Sequence, residues 1–276
     1  MFSFFKSYYV DDTAFILLSR GEVIAASKLI VSHFRRFGLT IHTGSKRKNE
    51  DSETEAIHFP RPGQKSTAAD MEDIEIDDDR FMSFCIKFKY LGSYFVPELS
   101  DTADITERIS QARKLFGSMN KQLLGNKKIP IDIRRRLYQA IVVNIALWGC
   151  ESWALKEADR SKLEAFHHGC LRKMCGLTMW DVAEKRIKNE QVRRMVADSP
   201  TMDTLMETRR CRWLSKLSAM NESRSPRRIL GAWCKTARPT GRPQQTIRHA
   251  YIRTLKKLGF EQGEGLLTEW MQVARD

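Results

Sequence analysis

The stretch FKYLGSYFVPELSDTADITERISQARKLFGSMNKQLL, residues 88–124, decides the fold class because its apolar pattern changes part-way along. Before Ser100 the chain reads as strands, Phe81–Phe88 and Tyr90–Phe95, bearing aromatic residues that suit a pleated, half-buried surface. Beyond it, Ile105, Ile109, Ala112, Phe116, Met119 and Leu123 recur at steps of four and three behind Asp104-x-x-Glu107. That spacing predicts one long amphipathic helix over residues 103–124. Strands before Ser100 and helices after it make the chain α+β.

Working towards the N-terminus, Ser19-Arg20-Gly21-Glu22 has the form of a capping box. The helix it opens places Val23, Ala26, Ser27, Ile30, Phe34 and Phe37 on one face and stops at Gly38. Strands are expected at Leu39–His42 and Ala56–Phe59, with a polar loop over 43–53. Residues 60–79 turn Pro/Gly-rich and then acidic, with seven carboxylates between Asp70 and Asp79, which predicts a mobile loop. Towards the C-terminus a second helix follows Pro130, with Ile133, Leu137, Ile141, Ile145 and Trp148 inward and Arg134-Arg135-Arg136 largely outward. A third runs from about Asp159 to Cys175 on Leu163, Phe166, Cys170 and Met174. Three such helices with short links form a small bundle. The expected divisions are therefore residues 1–100, 101–176 and a basic helical region, 177–276.

The 276 residues carry a formal charge of +13, and 42% of them are apolar, enough to bury cores. The charge is uneven: residues 1–100 hold 13 Lys/Arg against 15 Asp/Glu, and residues 101–276 hold 34 against 19, so the halves stand at −2 and +15. A basic C-terminal part calls for an anionic partner, with nucleic acid ahead of a membrane surface. Arg193-Arg194, Arg209-Arg210-x-Arg212, Arg227-Arg228 and Gly241-Arg242-Pro243 carry that charge, with Trp213 and Trp233 among them either as core or as stacking surfaces. Six cysteines without framework spacing predict free thiols in a reducing, intracellular setting, nucleus or cytoplasm. The longest apolar run, Ile141–Trp148, is too short to span a bilayer.

In Tyr8-Tyr9-Val10-Asp11-Asp12 two like charges meet between apolar runs. Aspartate at a turn is ordinary for its local hydrogen bonds. A divalent cation would also relieve the repulsion of two carboxylates facing one cleft. Tyr9-Val10-Asp11-Asp12, the helix end Phe37-Gly38-Leu39, Thr54-Glu55-Ala56-Ile57-His58-Phe59 and Phe88-Lys89-Tyr90-Leu91-Gly92-Ser93 occur in that order. The set resembles the end of the palm of a reverse transcriptase from a non-LTR, LINE-type retrotransposon. Ile105-x-x-Arg108-Ile109-x-x-Ala112, Leu137-Tyr138-x-Ala140, Trp148-Gly149-Cys150-Glu151-Ser152-Trp153 and Arg209-Arg210-x-Arg212-Trp213-Leu214 are similar to the thumb and later helices of the same elements.

That resemblance implies a palm-like sheet, a thumb-like bundle and a basic tail. It makes Asp11 a ligand of catalytic Mg²⁺ with Asp12 beside it, and Lys89, Tyr90, Leu91, Gly92 and Ser93 the primer grip. Two-metal phosphoryl transfer needs such carboxylates to fix ions at the attacking and leaving oxygens. Arg134, Arg135, Arg209, Arg210 and Arg212 are candidate contacts to an RNA template, a DNA primer or a duplex. Such polymerases use a further aspartate on an earlier strand, and fingers, that do not align here; the chain alone is expected to be inactive, with a missing N-terminal half as partner. Glu53 stands where the family has a lysine before the Thr-Glu pair. His167, His168, Cys170 and Cys175 lack knuckle spacing, so core cysteine is expected and zinc is not. Ser45-Lys46-Arg47-Lys48 reads as a solvated loop before it reads as an import signal. The alternative function is a non-catalytic, sequence-nonspecific nucleic-acid-binding protein.

Overall fold

A computed structural model describes residues 6–9, 12–61, 64–231, 246–257 and 259. Asp11, Trp233, Cys234 and Gly241-Arg242-Pro243 lie outside them. The architecture is α+β, and the chain divides into two compact units, Met1–Ala103 and Asp104–Asp276.

In the first unit β1 (Lys6–Tyr9) and β2 (Asp12–Phe15) pair antiparallel, from Lys6 opposite Phe15 to Tyr9 opposite Asp12. Helix α1 (Arg20–Arg36) begins at Ser19, whose Oγ accepts the Glu22 N–H at 3.2 Å. The Glu22 carboxylate reaches back to the N–H of Leu18 rather than Ser19, a capping box displaced by one residue. At the other end Gly38, at φ +73°, donates to the Arg35 carbonyl and Leu39 to that of Phe34. That Schellman pattern needs a left-handed residue, which glycine supplies without strain. Val31 and Ser27 are the buried residues of α1, whereas Phe37, expected inside, is exposed beyond the helix end.

Leu39–His42 is not a strand. Instead β3 (Gly44–Ser45), β4 (Glu55–Ala56) and β5 (Ile74–Glu75) each pair with β6 (Arg80–Phe84), only β4 running parallel to it. The acidic segment expected to be a loop thus contains a strand. Ile74 and Ile76 alternate with its carboxylates, and Ile74 packs with Val31 and Met82 at the centre of this unit. The charges are taken up locally: Asp77 by Arg80 at 2.6 Å, Asp79 by the Ser45 hydroxyl at 3.0 Å and the Arg47 N–H at 2.8 Å. Last come β7 (Phe88–Tyr90) and β8 (Ser93–Phe95), an antiparallel hairpin.

The second unit is helical. Helix α2 (Thr102–Met119) buries Ile105, Ile109, Ala112 and Phe116 as the spacing predicts. A π turn over Asn120–Leu124 then inserts an extra residue, so Leu124 is buried and Leu123 stands at the surface. Helix α3 (Ile131–Tyr138), a second π turn (Gln139–Val143) and α4 (Asn144–Ala146) follow. Their inward stripe is Arg134, Tyr138, Val142, Val143, Ala146 and Leu147, one residue round from the stripe expected, and Ile133 and Trp148 are exposed. Helix α5 (Glu157–Cys175) buries Leu163, Phe166, Cys170 and Met174. The core does not stop there: Val192 of α7 (Asn189–Met195), Val196, and Met202 and Met206 of α8 (Met202–Ala219) share it. Between α5 and α7 lies α6 (Met179–Glu184); beyond α8 come α9 (Ser225–Gly231) and α10 (Ile247–Lys257), with Tyr251 and Leu255 packed on Leu214.

Candidate nucleic-acid interface

Asp12, the described half of the carboxylate pair, opens β2 and is exposed. Among the described residues no group of three His, Cys, Asp or Glu side chains assembles that could hold a metal ion.

The segment from Lys89 to Ser93 forms the tip of the β7–β8 hairpin, with Tyr90 opposite Ser93 and Lys89 opposite Tyr94. Leu91 and Gly92 make its two-residue turn at φ +48° and +82°. Positive φ at both positions matches the right-handed twist of the flanking strands. The Phe88 and Tyr90 rings stack with centroids 6.3 Å apart, and the Tyr90 hydroxyl is buried without a hydrogen-bond partner. Lys89 is exposed, while the Lys87 ammonium lies 4.1 Å from the centre of the Tyr94 ring. The tip thus presents a cation, an apolar Leu91 and backbone groups on a narrow ribbon.

The candidate arginines divide by burial. Arg134 is buried, and its guanidinium donates to the carbonyls of Ile129 at 2.9 Å, Leu124 at 3.2 Å and Met174 at 2.7 Å. It ties the π turn after α2 to the end of α5, which corrects the expectation that it points outward. Arg210, 2% exposed, donates to the Trp153 carbonyl at 2.9 Å. These two guanidinium groups serve carbonyls of the bundle, whose oxygens would otherwise be orphaned. Arg209 is half-buried, bonded to the Leu147 carbonyl at 3.0 Å and to the Asn144 side chain. Arg135 reaches Gln139 one turn on at 3.0 Å, and Arg212 is exposed.

The Trp148–Trp153 segment acts as a clasp. Gly149 takes φ +76°, which lets the chain turn sharply after α4. Trp153 is buried, its indole N–H on the Asp104 carboxylate at 3.0 Å, and Asp104 lies 3.5 Å from Arg108. The Tyr251 hydroxyl donates to the Glu151 carbonyl at 2.9 Å. Helices α2, α8 and α10 therefore meet on six residues.

Both nitrogens of His167 are engaged, Nδ1 with the Tyr138 hydroxyl at 2.9 Å and Nε2 with the Pro200 carbonyl at 3.0 Å. His168 Nδ1 is 2.9 Å from the Glu164 carbonyl. Burial pushes the Cys170 and Cys150 thiols up to about 12, so neither is a ready thiolate, and the described cysteines are free. Trp180, in the first turn of α6, is exposed and was not anticipated; its signal is an indole followed by the basic run Lys185-Arg186-x-Lys188. No described helix is long and apolar enough to cross a membrane.

The class these features define is an α+β protein with a strongly basic helical unit. Within it, the chain is similar to an uncharacterized transposon-derived protein of Caenorhabditis elegans, 23% identical over 285 residues that cover 97% of this chain and 90% of that one. The likeness supports a transposon origin. No family model matches the chain, and no solved structure matches it.

Proposed function

We propose that this chain derives from the C-terminal half of a LINE-type reverse transcriptase, and that its biochemical activity is sequence-nonspecific binding of nucleic acid by residues 104–276. The observation that carries the reading is the charge division. Moving the boundary from 100 to 103 transfers only Asp101, so the first unit stands at −3 and the second at +16. A unit of that charge is drawn to phosphates whatever the base sequence, with counterion release as the driving term. The likeness to a transposon-derived protein supports the origin, and the ordered palm and thumb motifs, Asp12 and the Lys89–Ser93 turn among them, support the polymerase. In this reading Arg135, Arg209 and Arg212 of the second unit stand towards the phosphates, and the Lys89–Ser93 tip of the first unit is a separate candidate contact to a primer.

The test is binding of the full chain to unrelated RNA–DNA hybrids and duplexes over a salt series. Affinity should fall steeply and alike for all sequences, and Arg212→Glu should weaken it more than Lys6→Glu in the first unit. Salt-independent binding, or equal effects of the two reversals, would overturn the proposal.

A further inference from the structure

Met179 and Trp180 open α6 and stand in solvent at 68% and 74% exposure, while the helix buries none of its own residues. An indole placed so adds little to any core and keeps a large apolar face in water. Its backbone is held. The Thr178 hydroxyl accepts the Asp181 N–H at 3.1 Å, and the Asp181 carboxylate accepts the Thr178 N–H at 2.9 Å and its O–H at 2.6 Å. Trp180 lies between these two anchors. Cations lie on the neighbouring segments: Arg172 lies 3.9 Å from the Met179 sulfur and is steadied by Asn189 at 2.6 Å. The Lys127 side chain lies close to Gly176. Lys173, Lys185, Arg186 and Lys188 are exposed. Residues 172–188 carry five Lys/Arg against two carboxylates, of which Asp181 is shared between the cap and Lys185, 3.5 Å away.

We propose that Trp180 is a stacking platform for an unpaired base of single-stranded nucleic acid, with Lys127, Arg172, Lys173, Lys185 and Arg186 holding the phosphates on either side. An exposed flat aromatic within a basic segment fits a strand whose bases are turned out, since every base has a face to stack and a charge on each flank. A duplex keeps those faces inside its own stack and offers the indole none. The proposal rests on the nucleic-acid reading above and deepens it by naming the form of the ligand.

The test compares a fluorescein-labelled oligothymidylate with a duplex of the same length, bound to the full chain at one ionic strength. Trp180→Ala should weaken oligothymidylate binding by about ten-fold, the effect of one lost stack, and leave duplex binding within about two-fold. Trp180→Phe should restore most of the affinity. Intrinsic tryptophan fluorescence should be quenched by oligothymidylate in the parent chain and less so in Trp180→Phe. Equal loss for both ligands, or no loss for oligothymidylate, overturns this proposal while leaving general binding intact. A parent chain that binds neither overturns both. Loss of binding to phosphatidylserine vesicles in Trp180→Ala, with oligothymidylate binding unchanged, assigns the indole to a membrane surface and overturns it too.

Discussion

Arg134 and Arg212 are the same residue type with opposite circumstances, and a pair of substitutions separates them. Arg134→Ala leaves two buried carbonyls and one part-buried carbonyl without donors and should destabilise the chain by about 3 kcal/mol in urea unfolding. Arg212→Ala, at an exposed position, should stay within about 0.5 kcal/mol and instead lower the slope of log affinity against log salt by about one. Nothing in the sequence distinguishes the two, because the difference lies in whether carbonyls from distant turns converge on the guanidinium. His167 makes a second prediction. Burial first, and then the neighbouring His168, hold its pKa at about 4 against an ordinary 6.5. As pH falls below 6.5 the unfolded chain takes up a proton that the folded chain refuses. Stability present above pH 6.5 is therefore lost progressively down to about pH 4, on the order of 3 kcal/mol. Unfolding followed across that window should show the loss, and His167→Gln should flatten it.

The β7–β8 hairpin has a leucine where its turn asks for glycine or asparagine. A side chain in the left-handed region costs about 1–2 kcal/mol, and asparagine offsets part of that by hydrogen-bonding its own backbone, so Leu91→Asn should stabilise the hairpin by roughly 0.5 kcal/mol, read as a rise in Tm. If the tip grips a primer through Leu91, the same substitution should weaken hybrid binding. The apolar positions read on α2 and α5, from Ile105 to Phe116 and from Leu163 to Met174, are buried, whereas the buried polar residues beside them, Asp104, Arg108, His167 and His168, carry no apolar signal. Two things hid the rest. The inward stripe of α3 passes through Arg134, which hydrophobicity alone rejects, and the π turn at Asn120–Leu124 shifts the stripe by one residue without any composition signal. In residues 70–79 charge outweighed the alternation of Ile74 and Ile76, because carboxylates answered one by one by Arg80, Ser45 and Lys46 do not stop a short strand from forming. Trp180 was missed because an indole in a helix is usually core.

The two units differ in how much apolar surface they enclose. The first gathers Val31, Ile74 and Met82 at its centre, and the second a continuous cluster from Ile105 to Met206. Amide hydrogen exchange should be slow across 105–174 and much faster across 12–60. Uniform protection would show that the small sheet is as well closed as the bundle. Synthesis of the chain adds an order in time. The clasp at Trp148–Trp153 receives α8 through Arg210 and α10 through Tyr251, which lies a hundred positions beyond Glu151. A ribosome that has released only α2 to α5 has therefore made most of the bundle's core but left that segment without two of its partners. Nascent chains arrested at successive lengths should gain resistance to protease in steps, the last arriving only after Lys257 clears the exit tunnel.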